Sequence, residues 1–184
     1  YMYFLNDKKK KVKEKCFDLC KDEGHNNNTC YNKKQNTCGQ LKPQPGNYAY
    51  QKGYLTEKKK IYNCDTMVKK VLKDNYDPLS KKSKIKVSDF STPCPKYHYK
   101  GSLVVDPGNT YHFYRQDNNI RFSHKQGTLR VENIDADGKP IYAPHLAARN
   151  YKKNKKKGIQ YLNHCSYMCI PNNYYLNTSA MGKE

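Results

Sequence analysis

The sequence predicts an α+β fold in which one helix is followed by an antiparallel β-meander. Apolar residues with helical spacing run from Ile61 to Leu72, and short strand-like segments separated by turn residues follow between residues 102 and 142. Four cysteines fall in the short polar stretch before this pattern. We therefore divide the chain into a small Cys-rich basic extension, residues 1–41, and an α+β domain, residues 42–184.

The helix is the best-defined element of the sequence. Its apolar stripe consists of Ile61, Cys64, Met67, Val68, Val71 and Leu72. Asn63 is a favourable N-cap and Asp65 suits the first turn, while residues 75–78, which end in Pro78, stop the helix.

The strands are predicted from alternation and from turn residues. The segments are Ser102–Asp106, Thr110–Gln116, Arg121–Lys125, Leu129–Asn133 and Pro140–Tyr142. The first two flank a Pro-Gly-Asn turn and read as a hairpin. Residues 135–138, Asp-Ala-Asp-Gly, share acidic spacing with a calcium loop but lack its downstream carboxylate, so they indicate an ordinary Asp-Gly turn.

The charge of the chain predicts an anionic partner. The 184 residues include 35 Lys and Arg against 16 Asp and Glu, a net charge of +19. Such a chain is attracted to nucleic-acid phosphate, anionic lipid or an acidic protein surface. No nucleic-acid-reading motif is present, and the lysine runs resemble solvated loops. No apolar run reaches the ~18–20 residues that cross a bilayer, so no transmembrane segment is expected.

The cysteines predict disulfides and an oxidising compartment or a virion. Within the extension, Cys16, Cys20, Cys30 and Cys38 can form two staples; a zinc site using these residues, or His25, is the alternative. Near the C-terminus, Cys165 or Cys169 is expected to pair with Cys94. Metal binding by these two cysteines with His164 is the rival there. We predict no cofactor and no metal.

Three residues could form a nucleophilic site. Cys64 follows the N-cap, where the helix dipole favours a thiolate, and it is expected to stay a free thiol. His112 alternates with Tyr111 and Phe113, so it points away from those aromatics, and His124 follows across a tight turn. Nucleophile, base and orienting group would make a triad. The alternatives are a buried apolar cysteine and a pairing of the two histidines at the surface without catalytic function.

This arrangement resembles the NlpC-type papain-like endopeptidases, which carry a Cys at a helix start and two histidines around a short hairpin. The resemblance covers roughly residues 42–126. It implies a papain-like fold and a peptidase or amidase, with Cys64 as nucleophile forming a thioester, His112 as base and His124 as orienting residue. The family's Asp-Cys-Ser-Gly signature is replaced here by Asn-Cys-Asp-Thr at residues 63–66.

A second resemblance is to uncharacterised proteins of large AT-rich DNA viruses. It rests on residues 111–117 (YHFYRQD), 123–125 (SHK), 135–142 (DADGKPIY) and 144–147 (PHLA). The richness in Lys, Asn and Tyr agrees with an AT-rich genome. The resemblance implies a viral origin. It thereby supports the alternative function, a non-enzymatic basic structural or packaging protein of a virion that binds an anionic partner and other virion proteins.

Arginine is rare in this lysine-rich chain, and the four arginines all lie between residues 115 and 149. Arg115 shares the strand of His112 but points to the side of Tyr111 and Phe113. We expect its guanidinium to lie against that aromatic face, held by a carboxylate or by backbone carbonyls, and to fix the hairpin.

Overall fold

The computed structural model describes residues 44–56, 61–126, 130–152 and 158–172. The helices are α1 (Asn47–Gln51) and α2 (Cys64–Asp74). The strands are β1 (Tyr76–Asp77), β2 (Lys82–Ser83), β3 (Lys86–Ser88), β4 (His98–Asp106), β5 (Thr110–Gln116), β6 (Phe122–Lys125), β7 (Val131–Glu132) and β8 (Asn163–Pro171). The predicted extension, with Cys16, Cys20, Cys30 and Cys38, lies outside the described residues, so its staples and its boundary stay predictions.

Helix α2 begins and ends where the sequence predicts. The Asn63 side chain accepts a hydrogen bond from the Thr66 amide at 2.8 Å, which satisfies one of the first-turn donors. Met67 and Val71 are buried, and the helix ends at Asp74. Neither this helix nor α1 is long and apolar enough to cross a membrane.

The main sheet has six antiparallel strands in the order β3-β8-β4-β5-β6-β7. Strands β4 to β7 follow one another as a meander, so the predicted α+β class is confirmed. The β4–β5 hairpin closes at the predicted turn, where Gly108 has a φ of 75° that favours glycine. Strands β1 and β2 form a separate two-stranded hairpin.

Strand β8 was not predicted, and it changes the topology. It inserts between β3 and β4 and pairs with both, so the sheet is a meander completed by the C-terminal segment. The predicted strand at residues 140–142 is reduced to isolated bridges such as Phe122 with Ile141. The turn after β7 is an ordinary Asp-Gly turn, because the Asp135 carboxylate accepts hydrogen bonds from the backbone amides of Asp137, Lys139 and Ala148.

Both faces of the main sheet are buried, each by a different apolar cluster. We call the side covered by α2 the helix face; it includes Met67, Val71, Ile85, Tyr99, Leu103, Val105, Phe113, Met168 and Ile170. We call the opposite side the histidine face; its apolar core contains Val104, Tyr114, Phe122, Ile141, Tyr161 and Tyr167. Irregular segments between β7 and β8 cover the histidine face, since Ile141 and Tyr161 come from them.

A bulge in β8 assigns its residues to these faces. Leu103 pairs with Ser166, but the next residue of β4, Val104, pairs with His164, so Cys165 is the extra residue. Without a bulge, His164 and Ser166 would share a face, because side chains alternate along a strand. The bulge lets Cys165 pack on the helix face while His164 contacts the histidine face.

Two disulfides attach distant segments to β8. Cys64 at the start of α2 is bonded to Cys165, and Cys94 is bonded to Cys169. The second pairing confirms the expectation that Cys94 bonds to a C-terminal cysteine. Each bond closes a long stretch of chain, of 101 and 75 residues respectively, and so restricts the unfolded state strongly.

A buried carboxylate docks α1 onto α2. Asp74 is fully buried and accepts hydrogen bonds from the Gly46 amide at 2.7 Å and the Ala49 amide at 2.9 Å. These are donors of the first turn of α1, which has no side-chain cap of its own. The polar residue at the end of α2 therefore has a tertiary role that helical periodicity did not indicate.

Lys100 on β4 stabilises the loop that carries Cys94. The residue is buried, and its Nζ donates to the carbonyls of Asp89, Phe90 and Thr92 at 2.9, 2.7 and 2.7 Å. Burial lowers the pKa of this ammonium, and the nearby Asp89 partly opposes that effect. The lysine thus acts as an internal cap for three carbonyls.

We expect Lys100→Met to lower the free energy of unfolding by about 1–3 kcal/mol, because methionine fills the stem's space but leaves three carbonyls without their donor. Denaturant unfolding of the oxidised protein measures this. Lys82→Met, at an exposed position of β2, is the matched control and should change stability little. Equal stability of the two variants would contradict a structural role for the Lys100 ammonium.

Candidate functional site

The two predicted site histidines meet on the histidine face. His112 lies on β5 and His124 on β6, and the His112 Nε2 is 2.9 Å from the His124 Nδ1. The other nitrogen of His124, Nε2, lies 3.0 Å from the Ile134 carbonyl oxygen. A carbonyl only accepts, so His124 donates from Nε2 and accepts at Nδ1 from His112. The expectation that both histidines share one face of the hairpin is confirmed.

Aromatic rings enclose this pair. The Tyr161 ring stacks on His112 with centroids 5.1 Å apart, and the Tyr114 ring meets His112 edge-on at 5.4 Å. His112 is 7% exposed and His124 is fully buried. Burial lowers the pKa of both imidazoles, and their mutual repulsion lowers that of His112 further. Both are therefore neutral near pH 7 and shielded from solvent.

Cys64 is not part of this cluster, and the expected free thiol is wrong. Its Sγ is bonded to Cys165, and a disulfide sulfur is not a thiolate nucleophile. Cys64 also packs on the helix face, with Tyr111, whereas His112 faces the other side of the sheet. The Cys64–His112–His124 triad is therefore not assembled.

The physical reason is the alternation of β5. The sequence correctly placed His112 opposite Tyr111 and Phe113, but it did not show which face the helix would cover. Helix α2 packs against Phe113 and Tyr111, so the residue at the helix start shares their side. The sheet itself separates the sulfur from the imidazoles.

A second polar cluster on the histidine face was not predicted. The His164 Nε2 is 3.0 Å from the Ser102 Oγ, and the His145 Nδ1 is 2.6 Å from the Tyr167 hydroxyl. Burial, with repulsion from His145 and Arg149, lowers the pKa of His164 to about 4. Burial raises the pKa of Tyr167 to about 12. Ser102 is fully buried, so its hydroxyl serves packing and hydrogen bonding.

The structure supports no metal centre at the residues it describes. No group of three or more His, Cys, Asp or Glu residues there could hold a metal ion. The alternative use of His164 with Cys165 and Cys169 as metal ligands is contradicted, because both cysteines are in disulfides.

Arg115 lies where its strand position predicts, and a different arginine, Arg149, binds three backbone carbonyls. The Arg115 guanidinium carbon is 4.7 Å from the Tyr99 ring centroid on the helix face. Arg149 donates from Nε to the Tyr161 carbonyl at 3.0 Å, and from Nη1 to the carbonyls of Pro144 and His145. Arg149 thus ties together the segments that cover the histidine face. The stabilising role of Arg115 in the hairpin stays a prediction.

Exposed lysines are spread over the described part of the chain. The exposed lysines among the described residues include Lys52, Lys69, Lys81, Lys82, Lys86, Lys96, Lys139 and Lys152. They come from helices, short strands and turns, and no single element collects them. The charge is therefore available to a partner over much of the described surface.

Comparison with known proteins gives one partial relative. Over 48 residues the chain is 52% identical to "Insoluble matrix shell protein 1" of Ruditapes philippinarum. The match covers 26% of this chain and 32% of that protein, so the chain spans about a third of the relative's length. No family model matches the chain, and no solved structure matches it.

The buried histidines predict acid sensitivity. An unfolded imidazole titrates near 6.5, whereas the folded pKa values of His112, His124 and His164 are lower. The unfolded chain therefore binds more protons below pH 6.5, and the free energy of unfolding falls as the pH falls from 6.5 toward 4. The loss is at most about 1.4 kcal/mol per pH unit for each buried histidine. The hydrogen bond to the Ile134 carbonyl, and then the Glu132 and Asp135 carboxylates, raise the pKa of His124 and so reduce this loss of stability.

Thermal unfolding at pH 7.5, 6.0 and 5.0 measures this effect above the range in which unfolded carboxyl groups titrate. The melting temperature should fall at each step. His164→Gln keeps an amide that can bond to Ser102 but removes one titrating group, so its melting temperature should fall less. Parallel curves for the two proteins would show that His164 does not contribute to the pH dependence.

The Cys64–Cys165 bond predicts a large stability effect. Replacing both residues by alanine should lower the free energy of unfolding by about 2–5 kcal/mol, because the bond closes a long loop. Denaturant unfolding of parent and variant measures the difference. Peptide mass mapping without reduction should recover Cys64 linked to Cys165 and Cys94 linked to Cys169. Alkylation of Cys64 in the unreduced protein would restore the nucleophile hypothesis.

Proposed function

We propose that this chain is a non-enzymatic, basic structural protein that binds an anionic partner and is stabilised by disulfides. The observation that carries the proposal is the Cys64–Cys165 bond. The sulfur on which a thiol hydrolase would depend attaches α2 to β8 of the main sheet. The residue at the helix start thus has a structural use, and the two histidines on the other face are buried among tyrosines.

The charge distribution supports the anionic partner. The net charge is +19, and exposed lysines are spread over the described surface. Ammonium groups attract phosphate, sulfate and carboxylate groups alike, without a fixed geometry. We therefore expect the chain to recognise a partner by its density of negative charge, and to do so more weakly as salt screens the interaction.

The partial relative supports a structural setting. The name of that protein places it in the insoluble matrix of a shell. A structural protein of an extracellular or otherwise oxidising assembly suits a chain whose four described cysteines are all paired. The virion setting inferred from the sequence is a second structural context, and it stays a prediction.

A papain-like, NlpC-type hydrolase is the weaker proposal. The structure contains the helix, strand, strand order on which the NlpC-type resemblance rests, with Cys64 at the start of α2. Hydrolysis would require reduction of the disulfide and a base on the helix face, where neither His112 nor His124 lies. The geometry therefore favours the structural function.

Two measurements on the full oxidised chain test the proposal. The chain should bind immobilised heparin and immobilised poly-glutamate, used as anionic probes, and the logarithm of the binding constant should fall steeply with the logarithm of the salt concentration. Chain with acetylated lysines is the control and should lose binding, since acetylation removes the charge.

The second measurement addresses catalysis. Chain treated with a thiol reductant should not cleave a casein or peptidoglycan-peptide substrate above the rate of the Cys64→Ala variant. Cysteine-dependent cleavage would overturn the proposal in favour of the hydrolase. Absence of binding to both anionic probes at low salt would overturn the assignment of an anionic partner.

A further inference from the structure

An apolar groove lies between α2 and the edge of the main sheet. Its volume is about 450 Å³. The residues lining it are Cys64, Asp65, Val68, Lys69, Leu72, Lys73, Val87, Cys165 and Ser166. The helix residues recur every four positions, so the groove follows the helix for about 13 Å, which is the length of about four extended residues.

The outer wall of the groove is a sheet edge. Strand β3 pairs with β8 on one side, and on its other side no strand of the described chain pairs with it. Val87, in the middle of β3, is 54% exposed although it is an apolar β-branched residue. Val87 is opposite Met168, which belongs to the helix face, so its side chain points to the helix side of the edge. An edge strand of this kind accepts an added strand.

The charges around the groove are mainly positive. Lys69 and Lys73 line its helix side, and Lys86, which is exposed on β3, alternates to the face opposite Val87. Lys73 also lies over the Tyr76 ring at 5.1 Å. Asp65 lies at the other end of the groove. The acidic residues of a partner are therefore expected beside the lysines and away from Asp65.

We propose that this groove, which we call the α2–β3 groove, binds an extended acidic segment of a partner protein by strand addition to β3. The apolar side chains of the segment, at every second position, would contact Val68, Leu72 and Val87. Its acidic side chains, at the intervening positions, would point to the face of Lys86, while the Lys69 and Lys73 ammonium groups on the helix side attract the overall negative charge of the segment. The proposal rests on the proposed function and specifies the anionic partner as an acidic protein with an alternating apolar–acidic sequence.

The structure favours such a segment over a polysaccharide or nucleic acid. The lining of the groove is largely apolar, with Val68, Leu72, Val87 and the Cys64–Cys165 disulfide, and a polyanion without apolar groups cannot use it. The disulfide fixes α2 relative to β8 and β3 and so keeps the groove open in one shape. A preformed groove reduces the ordering cost of binding.

The test uses the full oxidised chain and three labelled peptides of seven residues. The first alternates Glu and Val, with four Glu. The second has the same composition in two blocks, and the third replaces every Glu by Lys. Fluorescence anisotropy should show the alternating acidic peptide bound at least about tenfold more tightly than the block peptide, because only alternation places Val on one face of a strand. The Lys peptide should not bind, since its charge repels the groove lysines.

Variants locate the binding. Lys69→Glu with Lys73→Glu, and separately Val87→Glu, should each weaken binding of the alternating peptide about tenfold. Lys96→Glu with Lys152→Glu is the matched control; it makes the same charge change at exposed positions outside the groove lining. Val87→Thr keeps a β-branched residue in the strand and should weaken binding less than Val87→Glu. It tests the same contact if Val87→Glu fails to fold.

The outcomes separate the groove from the general function. Equal losses in the groove and control variants, or equal binding of the alternating and block peptides, would overturn the groove proposal while leaving the anionic partner intact. Absence of binding to all acidic probes, including heparin and poly-glutamate, would overturn both proposals.

Discussion

The pairing of β8 with β4 is the interaction on which the rest of the structure depends. Strand β8 lies between β3 and β4 and pairs with both; among the described strands it is the one that pairs with β3. It also carries one cysteine of each described disulfide. A sheet without β8 would leave β4 as an edge and β3 without its sheet partner. Because β8 lies far from β4 along the chain, its pairing carries a loop-closure cost, which the two disulfides reduce by restricting the unfolded chain.

The bulge at Cys165 decides the chemistry of each face. One extra residue places a sulfur toward α2 and an imidazole toward the opposite face. The helix face thereby acquires a covalent attachment, while the histidine face acquires the His164–Ser102 pair, which lies beside the His112–His124 and His145–Tyr167 pairs. Buried imidazoles are neutral because desolvation disfavours their charged form, so they behave as packing and hydrogen-bonding groups.

Positive charge is used in two different ways. Lys100 and Arg149 direct their donors to backbone carbonyls and hold irregular segments against the sheet. The exposed lysines have no such geometry and provide a general attraction for negative charge. The α2–β3 groove combines fixed structure with general charge, because apolar side chains held in place by the disulfide lie beside lysine ammonium groups.

Local patterns in the sequence determined much of the fold. The N-cap Asn63, the apolar stripe and the hairpin turns fix α2, β5 and the α+β class, because caps, periodicity and turns depend on neighbours a few residues away. The same local alternation placed His112 and His124 together and Arg115 against an aromatic ring. These inferences needed no knowledge of which segments meet across the sheet.

Only the tertiary structure decided the rest. The sequence could not show that residues 163–171 form an interior strand of the sheet, because their mixed polarity follows from a bulge and from two buried faces. Nor could it show that Cys64 bonds to Cys165 or that Asp74 and Lys100 have buried partners far along the chain. Those contacts depend on strand order and on which face the helix covers, and a single residue's shift in a strand reverses every side chain's direction.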